Sequence, residues 1–137
     1  MDIVRYEDMV QCALLSVLRE VLLDVVANGL AEGKRLYLGF RSDFRSVQIP
    51  DFLRERYPHE MMIALEDGVY RDLVVSETHM AVTLSFNGIG EDLLIPFTAF
   101  SAFADPEERF ALQFEPCDDM EPSDDDKIVT FEHLKSL

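Results

Sequence analysis

The feature that most constrains this chain is an alternating stretch at residues 80–86 that runs directly into a turn signal. Asn87-Gly88 follows the stretch, and this pair favours a two-residue hairpin turn because both residues accept positive φ. The apolar run at residues 93–95 then predicts the second strand, which ends at Pro96 because proline has no N–H to donate. Every second residue of the first strand is apolar, which places one apolar face on it: Met80, Val82, Leu84 and Phe86.

Further apolar segments on both sides predict about six short strands. Residues 96–104 are too densely apolar for alternation, which suits a short buried helix or turn. The pattern therefore predicts a mostly β domain, a small barrel or sandwich. The other strand segments lie at residues 34–40, 61–65, 70–76 and 110–114.

A leading helix is predicted over residues 6–26, where apolar residues recur every three to four positions before Asn28-Gly29. Its apolar surface is wider than one core contact needs. Two interpretations stay open: the helix lies deep on a sheet, or a second face pairs with another copy of the chain. For a dimer we expect the interface at Leu14, Leu15, Leu18 and Leu22.

Charge separates the chain into three parts. With 137 residues and a formal net charge of −15, one domain is expected, and nucleic acids and anionic membranes are disfavoured as partners. Residues 115–126 hold seven acids and no base, which predicts a flexible acidic linker between a folded body (1–114) and the apolar segment 127–137. That last segment is interpreted as a ligand for another protein, the alternative being a strand docked back on the body.

Localisation is inferred from what the ends and the cysteines suggest. The N-terminus carries acids where a signal peptide has a basic region, and no apolar run reaches membrane-spanning length. Cys12 and Cys117 are too few and too far apart in sequence for a disulfide framework or a zinc site. A cytoplasmic protein is expected.

Six collinear segments together form a recognisable series: LYLGF (36–40), RYPHEMMIAL (56–65), VTLSFNG (82–88), LLIPFTAFSAFADP (93–106), FALQF (110–114) and KIVTFEHLKSL (127–137). The series resembles one family, the SspB (stringent starvation protein B) adaptors, in the form found in alphaproteobacteria. The resemblance implies a partly open Sm-like barrel with the helix outside it, paired through that helix into a homodimer. It also implies a non-enzymatic adaptor that binds ssrA-tagged polypeptides and delivers them to the ClpXP protease.

The resemblance implies two binding sites. One is an apolar groove for the ssrA tag, and the other is a C-terminal motif that docks on the N-terminal domain of ClpX. The expected groove residues are Ile63, Leu65, Leu84 and Phe86 as walls, with Glu66 and Ser85 as polar contacts. The expected docking residues are Lys127, Ile128, Val129, Phe131, Leu134 and Lys135.

The groove prediction has an alternative and a departure. Alternating apolar residues mostly face a core, so the alternative interpretation is that the wall residues are interior. In the segment 64–73, Glu66 stands where the relatives usually carry Gln, and a carboxylate there repels an acidic tag and donates no hydrogen bond.

Two other functional classes are alternatives to the adaptor. A peptide-binding module of the same fold that serves another tag or partner is the main alternative. An enzyme is disfavoured, because no acid is paired with a His or Lys at a spacing that suggests acid–base catalysis, and no Ser or Cys has a nucleophile context. The histidines His59, His79 and His133 have no ligand spacing, so neither a metal nor another cofactor is expected.

Overall fold

A computed structural model describes residues 6–117 of the chain. The predicted linker from residue 118 onwards and the segment 127–137 lie outside the described residues. The described part begins with a long helix and continues mostly as strands, as predicted. Its elements are α1 (Tyr6–Asn28), β1 (Arg35–Arg41), α2 (Asp51–Arg56), β2 (Glu60–Glu66), β3 (Tyr70–Val75), β4 (His79–Phe86), β5 (Ile89–Pro96), β6 (Phe100–Asp105) and β7 (Phe110–Gln113), with one-turn 3₁₀ helices at Phe97–Ala99 and Pro106–Glu108.

The strands form two antiparallel sheets. One has the order β2-β1-β6-β7 and the other the order β3-β4-β5, and they do not close into one barrel. The prediction of a mostly β, partly open barrel or sandwich with a leading helix is therefore confirmed.

The hairpin predicted from the alternating stretch at residues 80–86 is β4–β5. Phe86 pairs with Ile89 across the turn, and the register continues without a break to His79 and Pro96. Asn87 and Gly88 have φ values of 54° and 83°, the positive values that a two-residue hairpin turn of this kind requires. The turn and both strands are thus confirmed.

The structure differs from the sequence prediction at residues 96–104, where a short buried helix or turn was expected. Only Phe97–Ala99 is helical, as a 3₁₀ turn, and the rest belongs to strand β6. Phe40 pairs with Phe100 while Gly39 pairs with Ala102, so Ser101 is an extra residue in a β-bulge. Because of this bulge the buried Phe100 and Phe103 are separated by two residues rather than one. The strand therefore lacks the alternation by which a strand is recognised.

The core lies between the two sheets and under α1. Inward side chains of β1 and β4 are nearly inaccessible, and the rings of Phe40 and Phe100 meet edge to face with centroids 6.4 Å apart. Burial of this apolar surface is the main favourable contribution to folding. The largest fully buried side chains are Phe40, Phe100, Phe103, Leu18, Leu22, Leu36, Leu38, Leu53, Leu65, Met80, Leu93 and Leu94.

Helix α1 packs on the body through one face. Leu18, Leu22 and Val25 are buried, and the helix contacts β3 and the Phe97–Ala99 turn. Arg19 ties it to the β3–β4 connection, since its Nε donates to the Ser76 carbonyl at 2.8 Å. None of the helices in residues 6–117 has the length and hydropathy needed to cross a membrane.

Helix α2 organises the loop that precedes it. The Arg54 guanidinium donates to the carbonyl of Ser42 at 2.7 Å, to that of Val47 at 2.5 Å and to that of Phe44 at 3.3 Å. The loop then pairs with the edge of β5, because Gln48 and Leu94 exchange two backbone hydrogen bonds of 2.9 Å. Arg54 therefore holds a short segment of chain against the second sheet.

Candidate functional site

Three of the predicted groove walls lie in the core. Ile63 and Leu84 are 4% and 5% exposed, and Leu65 is fully buried. The inward faces of β2 and β4 carry these side chains, so they are not exposed walls in this conformation, and the alternative interpretation as interior residues describes them. Their peptide-binding role stays a prediction.

The remaining predicted groove residues lie on different surfaces. Phe86 is half-buried and Ser85 is exposed, and neighbouring residues of a strand point to opposite faces. Glu66, at the end of β2, accepts a hydrogen bond from Arg35 Nε at 2.8 Å. Arg35 thus offsets the negative charge of Glu66, which weakens the repulsion of an acidic tag that the sequence predicts.

Phe86 belongs to a partly exposed aromatic pair that the sequence analysis missed. Its ring meets the ring of Phe52, from α2, edge to face with centroids 6.4 Å apart. Phe52 is 41% exposed, a large apolar surface for a residue of a short polar helix. The signal in the sequence was an aromatic residue within the otherwise mostly charged DFLRER. We call Phe52 and Phe86 the aromatic pair.

A groove lies beside α2, where the loop before it separates from β5. Gln48 pairs with Leu94, but Pro50 has no N–H for the next ladder bond, and its carbonyl accepts from the N–H groups of Leu53 and Arg54 instead. The gap has a volume of about 320 Å³. It is lined by Gln48, Ile49, Pro50, Gly90, Glu91, Asp92 and Leu94.

The predicted dimer residues on α1 divide into two groups. Leu18 and Leu22 are fully buried against the body, so the first interpretation, a helix packed on a sheet, describes them. Leu14 and Leu15 are partly buried and also pack on the core. A different stripe of α1 is exposed and apolar: Tyr6 (82%), Val10 (54%) and Val17 (40%). These residues are spaced four and seven apart, which puts them on one side of the helix.

The predicted docking residues, Lys127 to Lys135, lie outside the described part of the chain. Within residues 6–117 no group of three or more His, Cys, Asp or Glu side chains is arranged to hold a metal ion. His79 is one of the few titratable groups with a perturbed pKa: burial lowers the pKa of its imidazole from the usual 6.5. Its Nδ1 lies 2.6 Å from Thr78 Oγ1 in the β3–β4 hairpin. This contact indicates a structural role for His79.

A two-sheet β body with a leading helix, a partly exposed aromatic pair and a groove before α2 is typical of a small protein-interaction domain. The family model of stringent starvation protein B, SspB, matches residues 8–135. The chain therefore belongs to the SspB family, and the match extends beyond the folded body into the C-terminal segment. A search of curated proteins gives no match.

Proposed function

We propose that this protein is an adaptor that binds ssrA-tagged polypeptides and delivers them to the ClpXP protease by tethering them to ClpX. The observation that carries the proposal is the SspB family match over residues 8–135, which spans both the β body and the C-terminal segment. SspB proteins are adaptors in ClpXP proteolysis and need no catalytic group of their own. The adaptor acts in the cytoplasm.

The tag binds beside the aromatic pair. Phe52 presents an exposed ring that meets the half-buried Phe86 edge to face, and Pro50, two residues before Phe52, lines the groove. A peptide in extended conformation needs flat apolar contacts together with free backbone groups. Of the residues predicted from the sequence, Phe86 supplies apolar contact directly. Leu84, two residues earlier on the same face of β4, belongs to the core cluster against which Phe86 packs.

The aromatic pair gives the first test. We expect Phe52→Ala to weaken binding of a labelled ssrA-type peptide about tenfold, because an exposed aromatic anchor contributes on the order of 1–2 kcal/mol. Phe110→Ala is the matched control, since Phe110 is a similarly exposed phenylalanine (43%) on β7. Equal affinities of the two variants, measured by fluorescence anisotropy, would show that the tag does not bind at α2.

Tethering and dimerisation complete the proposal. The segment 127–137 docks on the N-terminal domain of ClpX through Ile128, Val129, Phe131 and Leu134, with Lys127 and Lys135 beside them. Two copies of the chain pair through the exposed stripe of α1, which continues past the leucines that hold the helix to the body. A tether raises the effective concentration of the tagged substrate at the unfoldase, so two weak contacts suffice.

The alternative is a peptide-binding module of the same fold that serves another degradation tag or protein partner. The observation that favours it is Glu66, which replaces a polar amide by a carboxylate, although Arg35 pairs with it. Binding of the ssrA-type peptide separates the two proposals. If Arg35→Ala abolishes binding of that peptide and the added substitution Glu66→Gln restores binding, Glu66 lies close enough to the bound tag to affect which tag the protein prefers.

A further inference from the structure

The edge of β5 is open at Gly90 and Asp92. Both backbone bonds between Leu94 and Gln48 are made on the side of β5 that faces away from β4. In an antiparallel ladder, the N–H and C=O of alternate residues point to the same side. The same groups of Asp92 and Gly90 therefore point to that edge, and beyond Pro50 no described strand pairs with them.

A positively charged side chain lies on one face of the sheet at this edge. Arg71, from β3, crosses the outer face of the sheet, and its Nη2 lies 2.5 Å from where a Cβ on Gly90 would be. Only glycine leaves room for the guanidinium in this position. Arg71 is exposed and has no hydrogen-bond or ion-pair partner among residues 6–117. Asp92, on the same face, already accepts a hydrogen bond from Thr83 Oγ1 at 2.8 Å.

The other side of the edge carries an unused anion. Glu91 lies between Gly90 and Asp92, so its side chain points to the opposite face, where it lines the groove. It is half-buried and, within the described residues, it too lacks a hydrogen-bond or ion-pair partner. Arg71 and Glu91 thus present opposite charges on the two faces of one open strand edge.

We propose that an extended peptide adds as a short strand to β5 at Gly90, with an acidic residue facing Arg71 and a basic residue at the next position facing Glu91. Neighbouring side chains of a strand alternate between faces, so consecutive residues of opposite charge meet both partners. The backbone groups of Gly90 supply hydrogen bonds that are independent of sequence. The inference rests on the proposed peptide-binding function and specifies which peptides the groove prefers.

The test uses the full chain and short labelled peptides of one threonine-alanine host sequence. Their two central residues are Glu-Lys, Glu-Glu, Lys-Lys or Ala-Ala. For the unchanged protein at low ionic strength we expect Glu-Lys to bind about fivefold tighter than Ala-Ala, the size of two exposed ion pairs. Arg71→Glu should make Lys-Lys the preferred peptide, and Glu91→Lys should make Glu-Glu the preferred one.

Two controls separate local contacts from the general field of an acidic protein. Arg109→Glu makes the same change in charge on the 3₁₀ turn before β7 and should leave the ranking of the peptides unchanged. Gly90→Ala displaces the Arg71 side chain and should reduce the preference for the acidic position while the free energy of unfolding changes little.

The outcomes distinguish this inference from the proposed function. If the ranking is the same in Arg71→Glu, Glu91→Lys and the unchanged protein, the inference is overturned, and binding of an ssrA-type peptide would still support the adaptor. If the ranking switches as expected but the ssrA-type peptide does not bind, the inference stands and the tag is another one. If none of the peptides binds, both are overturned.

Discussion

Replacement of Arg54 measures how much its hydrogen bonds contribute to holding the loop before α2 in place. Its guanidinium makes two short hydrogen bonds, to the carbonyls of Ser42 and Val47, and a longer one to Phe44. Hydrogen bonds from a charged donor contribute roughly 1.5–3 kcal/mol each, and the cost of desolvating the guanidinium offsets part of this. For Arg54→Met we therefore expect the free energy of unfolding to fall by about 3 kcal/mol, a large part of the roughly 5–15 kcal/mol of a typical domain.

The assay is urea denaturation, with Arg56→Met as the matched control. Arg56 lies on the same helix and is exposed, so its loss should cost less than about 0.5 kcal/mol. Arg54→Lys should recover only part of the lost free energy of unfolding, because one ammonium cannot reproduce the forked donor geometry of the guanidinium. Amide hydrogen exchange at Leu94 should be faster in Arg54→Met, since the Gln48 strand loosens. A cost below about 1 kcal/mol for Arg54→Met would refute this account of the loop.

Two further predictions concern α1 and the β3–β4 hairpin. If the protein pairs through α1 as proposed, Val10→Glu with Val17→Glu should give a folded monomer in sedimentation velocity, whereas Ser16→Glu, off the stripe, should leave the dimer intact. A monomeric unchanged protein would contradict the proposed dimer. The lowered pKa of His79 means that the unfolded chain binds a proton at this imidazole more readily below about pH 6.5, so the contribution of His79 to the free energy of unfolding should fall as the pH decreases through that region and stay level above it. His79→Gln should remove this fall in urea denaturation across pH, and a fall of the same size in His79→Gln would exclude His79 as its source.

The sequence predicts most of the fold because local signals and core packing agree there. The β4–β5 hairpin has strict alternation and a turn pair with positive φ, and α1 has a continuous apolar stripe. Strand β6 escaped prediction for a physical reason: the bulge at Ser101 shifts the register, so Phe100 and Phe103 both face the core without alternating. A bulge depends on the partner strand, which the local sequence does not specify.

The candidate site is less predictable than the fold, because period-two alternation shows which residues share a face but not whether that face is buried. Ile63, Leu65 and Leu84 share the core face with Phe86, and only Phe86, near the end of its strand, retains appreciable exposure. The edge at Gly90 is open because the chain turns away from β5 at Pro50. The arrangement of these two segments, about 40 residues apart in the sequence, is not specified by local sequence.

The most direct test of the central claim is the rate at which ClpXP degrades an ssrA-tagged substrate below saturation. It should be measured without adaptor, with the full chain, and with a chain that ends at residue 126. The account predicts faster degradation with the full chain only, and equal binding of the ssrA-type peptide by both chains in anisotropy. Equal stimulation by the shortened chain would contradict tethering through residues 127–137, and no stimulation by the full chain would contradict the adaptor function itself.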